Sequence, residues 1–418
     1  MRRFLLPLLL LICLRCFSSY LLIPMDGGQK NHLKAYGVAF WALEQEVSVS
    51  WLLNYRGGSF MLRQQQRIEN ELLVRGVSYE VIADVRSTAI LQEIQNPEVN
   101  MDEVKLETVP KIAVYSPKNA LPWDDAVTLV LTYAEIPYTV IYDEEIIRGD
   151  LHLYDWLHLH HEDFTGQYGK FYGRYRNFPW YKEQVRVSEA MAAKLGYSKV
   201  SKLKLDVALK IQEYVSGGGF MFSMCSGTDS YDVALAAKEI DICEEMFDGD
   251  PAQANMNSSL DFTGTFAFEN FKVSQNPLEP EFSNIDATPS HAMTAEHMDR
   301  FSLFEFSAKW DPVPTMLCQN HESIIKGFMG LTTAYNKQFV KPGTLILGEN
   351  KSLNSAKYIH GKFGQGTWTF YGGHDPEDYQ HFVGDPPTEL ELYPNSPGYR
   401  LILNNVLFPA AKKKKQKT

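Results

Sequence analysis

The chain has 418 residues, of which 44% are apolar and 22% are charged, as is ordinary for a globular protein. Its 40 basic and 51 acidic residues give a net charge of −11 at pH 7, which argues against nucleic acid as a partner. A chain of this length favours two domains.

Residues 1–19 have the pattern of a secretory signal peptide. Arg2 and Arg3 precede an uncharged, leucine-rich run, and small residues suitable for cleavage follow at Ser18 and Ser19. The run is shorter than the roughly 20 apolar residues that a membrane span needs. The large residues before the two leader cysteines argue against lipoprotein anchoring. We therefore expect export to the periplasm or cell envelope, with no transmembrane segment after cleavage.

The first predicted elements alternate between strand and helix. Strands are predicted at 20–25, 47–53 and 79–83, and helices at 31–46, 67–74 and 87–94. This βαβαβα order predicts a small parallel sheet with crossover helices, a Rossmann-like α/β lobe over residues 20–107. The polar stretch 95–108 is the predicted boundary.

A second series of strands and helices predicts a larger α/β domain over residues 108–410. The strands are predicted at 111–115, 138–142, 156–160, 220–224, 344–347, 356–363 and 366–371. The helices are predicted at about 124–134, 204–215, 229–240 and 399–407. Residues from about 245 to 340 look like an insertion, because they begin with a stretch rich in Asn, Ser, Pro and Asp. Residues 411–418 form a basic tail that we expect to be solvated.

The clearest chemical signal is Cys225, which follows the predicted strand 220–224 and precedes a helix. At such a turn, backbone N–H groups and the helix N-terminus favour a thiolate and a developing oxyanion. The alternative is a buried cysteine that packs as a small apolar residue. Ser226 and Asp229 follow in a loop similar to the pyrophosphate loop of ATP pyrophosphatases, although an exported protein meets little ATP.

A second signal follows the predicted strand 366–371, where two glycines precede His374. A catalytic cysteine needs a base that is itself oriented by a third group, and Glu377 is a candidate for that group. The pattern predicts that Cys225 and His374 lie at the same edge of the sheet.

The third signal is a histidine cluster at the end of the predicted strand 156–160. Alternation along a strand places His158 and His160 on one face and His161 on the other. Histidines and carboxylates such as Glu162 are ligands for zinc, although the spacing matches no known zinc motif. The alternative is a polar strand end beside Cys225.

Cys225, Cys243 and Cys318 are the cysteines that remain after cleavage. An odd number makes a poor disulfide framework, so at most one pair is expected and one thiol stays free.

The order of a strand ending at Cys225, a helix, a strand ending at Gly372-Gly-His-Asp-Pro-Glu377 and a last helix resembles the class I glutamine amidotransferase-like fold, over about residues 108–410. It is most similar to the branch of trehalose-utilisation-type proteins. The whole chain resembles a bacterial family named asparagine synthetase B, through segments 23–26, 31–36, 159–163 and 372–379. The resemblance implies a parallel-sheet amidotransferase-like domain with a cysteine nucleophile.

Four functions remain open at this point, and oligomeric state is not predicted. The first is an exported Cys–His amidase or hydrolase acting on a small-molecule or carbohydrate-related substrate, without a cofactor. Its residues would be Cys225 as nucleophile, His374 as base and Glu377 as orienter, with His160, Glu162, Ser226 and Asp229 on the substrate side. The second is a non-catalytic carbohydrate-binding module, and the third is an ATP-dependent asparagine synthetase. The fourth is a zinc-dependent hydrolase with the ligands His160, His161, Glu162 and His374.

Overall fold

The computed structural model describes residues 19–117, 125–311 and 313–411, which form two β-sheets flanked by helices. Nearly all of the predicted leader and the basic residues 412–418 lie outside the described residues. No helix in the described part of the chain is long and apolar enough to cross a membrane.

The first sheet is entirely antiparallel, with the strand order β4-β1-β3-β2-β5. Its strands are β1 (Ser19–Ile23), β2 (Val49–Leu53), β3 (Ser59–Arg63), β4 (Glu80–Ala83) and β5 (Asp102–Leu106). The helices of this part are α1 (His32–Glu44), α2 (Gln66–Val74) and α3 (Asp84–Gln95).

The predicted Rossmann-like parallel sheet in this lobe is therefore wrong, because two strands were missed. A tight turn through Arg56 and Gly57, both with positive φ, sends the chain from β2 straight back into β3. Strand β3 then pairs with both β1 and β2, so those two strands never pair with each other. Strand β5 lies in the polar stretch expected to be a boundary, with only Val104 and Leu106 fully buried.

The second sheet has ten strands in the order β11-β10-β13-β14-β15-β9-β8-β6-β7, with β12 beside β14. The strands are β6 (Ile112–Tyr115), β7 (Thr139–Ile141), β8 (Trp156–Leu159), β9 (Phe220–Met224), β10 (Arg300–Leu303), β11 (Ile324–Lys326), β12 (Tyr335–Asn336), β13 (Leu345–Asn350), β14 (Ser355–Phe363) and β15 (Gly366–Tyr371). Three of them, β10 to β12, come from the stretch predicted as an insertion, so that stretch extends the sheet.

Five neighbouring strands of this sheet, β7-β6-β8-β9-β15, run parallel. Numbered by their appearance along the chain, they follow the order 2-1-3-4-5 of doubly wound α/β sheets. The predicted α/β class is thus confirmed. In such sheets ligands bind outside the carboxyl ends of the strands, where the strand order reverses.

Nine helices among the described residues accompany the second sheet. They are α4 (Ala126–Ala134), α5 (Asp143–Arg148), α6 (Tyr172–Tyr175), α7 (Pro179–Lys194), α8 (Val200–Ser216), α9 (Ser226–Ala236), α10 (Glu245–Asp248), α11 (Thr288–Ala292) and α12 (Pro397–Leu407). Helix α7 was not predicted, because few of its side chains are buried and its sequence has little apolar periodicity.

Helices α1, α4 and α12 pack against one another between the two sheets. One cluster of buried apolar side chains therefore runs from Leu21 and Trp51 in the first sheet, through Phe40 and Leu403, to Phe222 in the second. The opposite face of the second sheet is covered by α8 and α9, which bury a separate apolar cluster.

Candidate functional site

Four chain segments meet at the carboxyl edge of the parallel strands. Asp125 lies between β6 and α4, His160 and His161 follow β8, Cys225 follows β9, and His374 follows β15. The sequence predicted this meeting for the histidines and the cysteine, because parallel strands end at one edge of a sheet.

His160, His161 and His374 form a cluster in which His160 and His374 are buried and His161 is half-buried. The ring centroid of His160 lies 4.5 Å from that of His374 and 5.0 Å from that of His161. One ligand atom from each of the three side chains lies within 4.8 Å of the other two. His161 does not point to the opposite face, as strand alternation predicted, because β8 ends at Leu159 and the chain turns there.

The carboxylate of Asp125 contacts this cluster through His160. This carboxylate lies 3.1 Å from Nδ1 of His160 and 3.2 Å from Nε2 of His158, and it accepts the N–H of Val127 at 2.7 Å as the N-cap of α4. Burial alone would raise the pKa of Asp125, but the two histidines hold it well below its usual value. The other ring nitrogen of His158 is hydrogen-bonded to the carbonyl oxygen of Phe222, so both ring nitrogens of His158 have partners. Only His160 of this pair can turn its far nitrogen to a ligand.

His374 is buried, and neither of its ring nitrogens has a hydrogen-bond partner among the described residues. Burial, followed by the nearby His160 and His161, holds the pKa of His374 well below its usual value, so the ring is neutral. Its other face stacks on His381 at 4.6 Å between centroids, and Nδ1 of His381 lies 2.8 Å from Asp378. Two buried, unpartnered nitrogens on one neutral ring are costly unless something binds them.

Cys225 occupies the predicted strand-to-helix turn. Its φ of 52° and ψ of −142° are unusual for a residue with a side chain, and α9 begins at the next residue. The N–H of Gly227 donates to the carbonyl of His160 at 2.7 Å, and a Cβ at Gly227 would lie only 2.1 Å from that oxygen. A glycine is therefore needed here, and the contact fixes the histidine loop against the cysteine turn.

The predicted Cys225–His374–Glu377 triad is not assembled. The sulfur of Cys225 accepts the N–H of Leu331 at 3.3 Å, and His374 makes no hydrogen bond to it. Burial raises the pKa of the Cys225 thiol to about 11, despite backbone N–H groups that act in the opposite direction. The carboxylate of Glu377 pairs with Lys326 at 2.9 Å and does not reach His374.

Glu162 and Asp229, two of the other predicted substrate-side residues, have partners outside the histidine cluster. Glu162 lies beside Tyr142 and Lys204, and burial raises its pKa to about 7. Asp229 accepts a hydrogen bond from Thr332 at 2.7 Å, and burial raises its pKa to about 7 as well. Ser226 is fully buried. Glu162 therefore does not join the three histidines as a ligand.

A cavity of about 330 Å³ opens onto the histidine cluster. His161, His374 and Cys225 lie in its lining, together with His381, and most of the remaining lining is apolar or aromatic. Cavities of this size are typical of small-molecule sites.

The three cysteines are all free and buried. Another group of candidate ligands, Asp241, Cys243 and Asp248, already has the ammonium of Lys199 within 3.1 Å of both carboxylates. These carboxylates therefore form an ion-pair network with Lys199.

The sequence did not single out Asp125, His381 or Asp378. Asp125 could have been noted as a helix N-cap at the start of the predicted helix 124–134, because Asp is favoured at N-cap positions. His381 and Asp378 lie in an irregular segment after β15, and no periodicity marks them.

No protein-family model and no curated protein matches this chain. Among solved structures, it is similar to two cytoplasmic proteins of Salmonella typhimurium. For STM3548 the TM-score is 0.36 with 9% identity over 73% of this chain and 100% of that chain. For STM1381 the TM-score is 0.34 with 12% identity over 72% and 100%. The GH42 β-galactosidase Gan42B of G. stearothermophilus has a TM-score of 0.29, with 12% identity over 64% of this chain and 28% of that one. At these scores the likenesses carry no argument about function.

Proposed function

We propose that the protein is a metal-dependent hydrolase whose ion is held by His160, His161 and His374. The observation that carries this proposal is the convergence of three imidazoles, those of His160 and His374 buried and that of His161 half-buried, beside a cavity that His161 and His374 line. Both ring nitrogens of His374 are unpartnered among the described residues.

The ligand set fits a catalytic zinc ion. Three protein nitrogens with a fourth position open to the cavity is the arrangement in which zinc lowers the pKa of a bound water to about 7. Bonds of about 2.0–2.1 Å in a tetrahedral site separate the nitrogens by about 3.4 Å. The nitrogens lie within 4.8 Å of one another, so binding an ion would bring them closer together by up to about 1.4 Å.

Asp125 and the cavity supply what such a site needs besides ligands. A carboxylate on Nδ1 of His160 fixes the orientation of that ring and raises its basicity, as in carboxylate–histidine–metal triads. The apolar lining of the cavity limits the access of bulk water and strengthens electrostatic interactions with a substrate.

A cysteine hydrolase with Cys225 as nucleophile is the second candidate. The left-handed backbone at Cys225 and the N–H of Leu331 aimed at its sulfur favour it. Against it, a thiol with a pKa of about 11 is ionised in about one molecule in 10⁴ at pH 7, and His374 makes no hydrogen bond to it. The resemblance to amidotransferase-like proteins supports this candidate and stays a prediction, as does carbohydrate binding without catalysis.

Zinc titration of matched histidine variants tests the proposal. We expect wild-type protein to bind one Zn²⁺ per chain by calorimetry and elemental analysis, and His374→Gln to bind it at least 10-fold more weakly. His360→Gln is the control, since His360 is also buried but hydrogen-bonds to Thr369 on β15 away from the cluster. Absence of zinc binding, or equal binding by both variants, would contradict the proposal.

The same preparations separate the two candidates. If the ion performs the reaction, chelation abolishes hydrolysis of a general ester or amide probe and Cys225→Ala retains most of it. The opposite pattern would favour the thiol.

A further inference from the structure

The mouth of the cavity is apolar although it faces solvent. Leu278 and Phe382 both line the cavity, yet they are 63% and 52% exposed. Phe171 and Tyr175 form the wall nearby, with ring centroids 5.9 Å apart. Exposed apolar side chains around a concave site mark a surface that binds an apolar group.

The walls of this mouth are held together by backbone contact. Gly173, in α6, approaches Leu278 so closely that a Cβ there would lie 2.6 Å from the Leu278 carbonyl oxygen. Lys170 is buried beneath and donates to the carbonyls of Ser274 and Asn276. The segments on either side of the opening are thus tied to one another, and the site is preformed.

Arg174 places a positive charge at this apolar mouth. Arg174 lines the cavity, is exposed, and forms no ion pair with any described residue. Glu281 is the acidic residue of the lining, and its charge acts on Lys170. In a chain with net charge −11, an unpaired guanidinium at the mouth of a cavity is a specific feature, because guanidinium groups bind carboxylates with two parallel hydrogen bonds.

We infer that the cavity takes a carboxylate-bearing ligand with a flat apolar body. The carboxylate would pair with Arg174, and the apolar body would lie between Phe171 and Tyr175 on one side and Phe382 on the other. The position of the reacting group rests on the proposed function: if the protein is a hydrolase, the amide or ester group of the ligand would face the three histidines.

Binding of two probes that differ only in charge tests the inference. The probes are 2-naphthoate and the neutral 2-naphthamide, measured by calorimetry with protein treated with EDTA. We expect the wild type to bind the carboxylate at least 10-fold more tightly than the amide. Arg174→Gln should abolish this preference, and Phe382→Ala should weaken both probes.

Arg176→Gln is the matched control. Arg176 is two residues away and also exposed, but its guanidinium donates to Gly173 O at 2.7 Å and packs over Tyr172, and it does not line the cavity. It should retain the wild-type preference. Equal binding of both probes by the wild type, a preference that survives Arg174→Gln, or tighter binding of trehalose than of 2-naphthoate would overturn the inference.

The metal-free measurement keeps the two proposals apart. Loss of zinc binding with intact, Arg174-dependent carboxylate binding would contradict the hydrolase and leave the ligand class standing. A carboxylate preference that appears only with Zn²⁺ and does not depend on Arg174 would show that the ion holds the carboxylate, and it would contradict the assignment of Arg174.

Discussion

At the scale of single residues, Asp125 links the fold to the site. The same carboxylate caps α4 through the N–H of Val127 and lies on Nδ1 of His160. The helix therefore holds the carboxylate in place, and the carboxylate holds the histidine ring in place.

Asp125→Asn should separate these two functions. Asparagine is as good an N-cap as aspartate, so we expect a small change in melting temperature. The asparagine amide lacks the negative charge that Asp125 places beside His160, and zinc affinity should fall by 10- to 100-fold, as is typical when a carboxylate that orients a metal-binding histidine is lost. Unchanged zinc affinity in a calorimetric titration would contradict the role of Asp125.

Lys357 is a second residue whose burial has a measurable consequence. It is fully buried beneath the loop before His374, where its Nζ donates to Thr333 O at 2.8 Å and lies 3.8 Å from the centroid of the Phe328 ring. Burial lowers its pKa to about 7, against the attraction of Asp299, Cys225 and Asp286.

Between about pH 7 and 10 the unfolded chain binds a proton at Lys357 that the folded protein does not. This residue therefore makes the free energy of unfolding rise with pH by up to about 1.4 kcal/mol per pH unit. Lys357→Met should lose that slope in urea denaturation measured at several pH values. Lys362→Met, an exposed lysine on the same strand, should keep it. Equal slopes in wild type and Lys357→Met would show that the lysine stays charged.

The site could be predicted where a residue directly follows a predicted strand. Cys225 and His161 directly follow a predicted strand, His160 ends one, and His374 follows one after two glycines. These residues meet at one edge of the sheet, although His161 was expected on the opposite face. The wrong assignments concern Glu162 and Glu377, because sequence proximity does not reveal that Lys326 takes the carboxylate of Glu377. Arg174 comes from the four-residue helix α6 and His381 from an irregular segment, and the path of both depends on long-range packing.

At the scale of elements, α9 is anchored by Asp232. The buried carboxylate accepts three consecutive backbone N–H groups, from Phe266 and Ala267 at 2.7 Å and from Phe268 at 2.9 Å. The segment around 266–268 thereby packs against the helix that carries the cysteine turn at its N-terminus.

Asp232→Asn should destabilise the protein by about 3 kcal/mol, because the amide turns a donor toward backbone donors that are buried. Asp261→Asn is the control, since Asp261 also accepts a backbone N–H, from Thr263, but is exposed to solvent. It should change the free energy of unfolding by less than about 1 kcal/mol. Similar urea midpoints for both variants would refute the anchoring role.

Seven of the ten strands of the second sheet were predictable, because most of them are short runs of buried apolar residues, whereas β10 to β12 were missed. The first sheet was not, because β3 and β5 look like a loop and a polar linker in isolation. Whether a sheet is parallel depends on such strands: inserting β3 between β1 and β2 converts the expected crossover into antiparallel pairs.

At the scale of the whole molecule, the sequence predicts export, with cleavage near Ser18 or Ser19. We expect the mature protein in the cell-envelope fraction, with N-terminal sequencing that starts near Ser19 or Tyr20. A cytoplasmic protein that retains Met1 would contradict export and would favour the ATP-dependent asparagine synthetase instead.

The central claim, a metal site built by the three histidines, is tested most directly by a crystal structure of zinc-loaded protein with anomalous data at the zinc edge. The account predicts one strong anomalous peak about 2.0–2.1 Å from ring nitrogens of His160, His161 and His374. No peak at this position, or an ion bound instead by Asp378, His381 and Asp385, would contradict it.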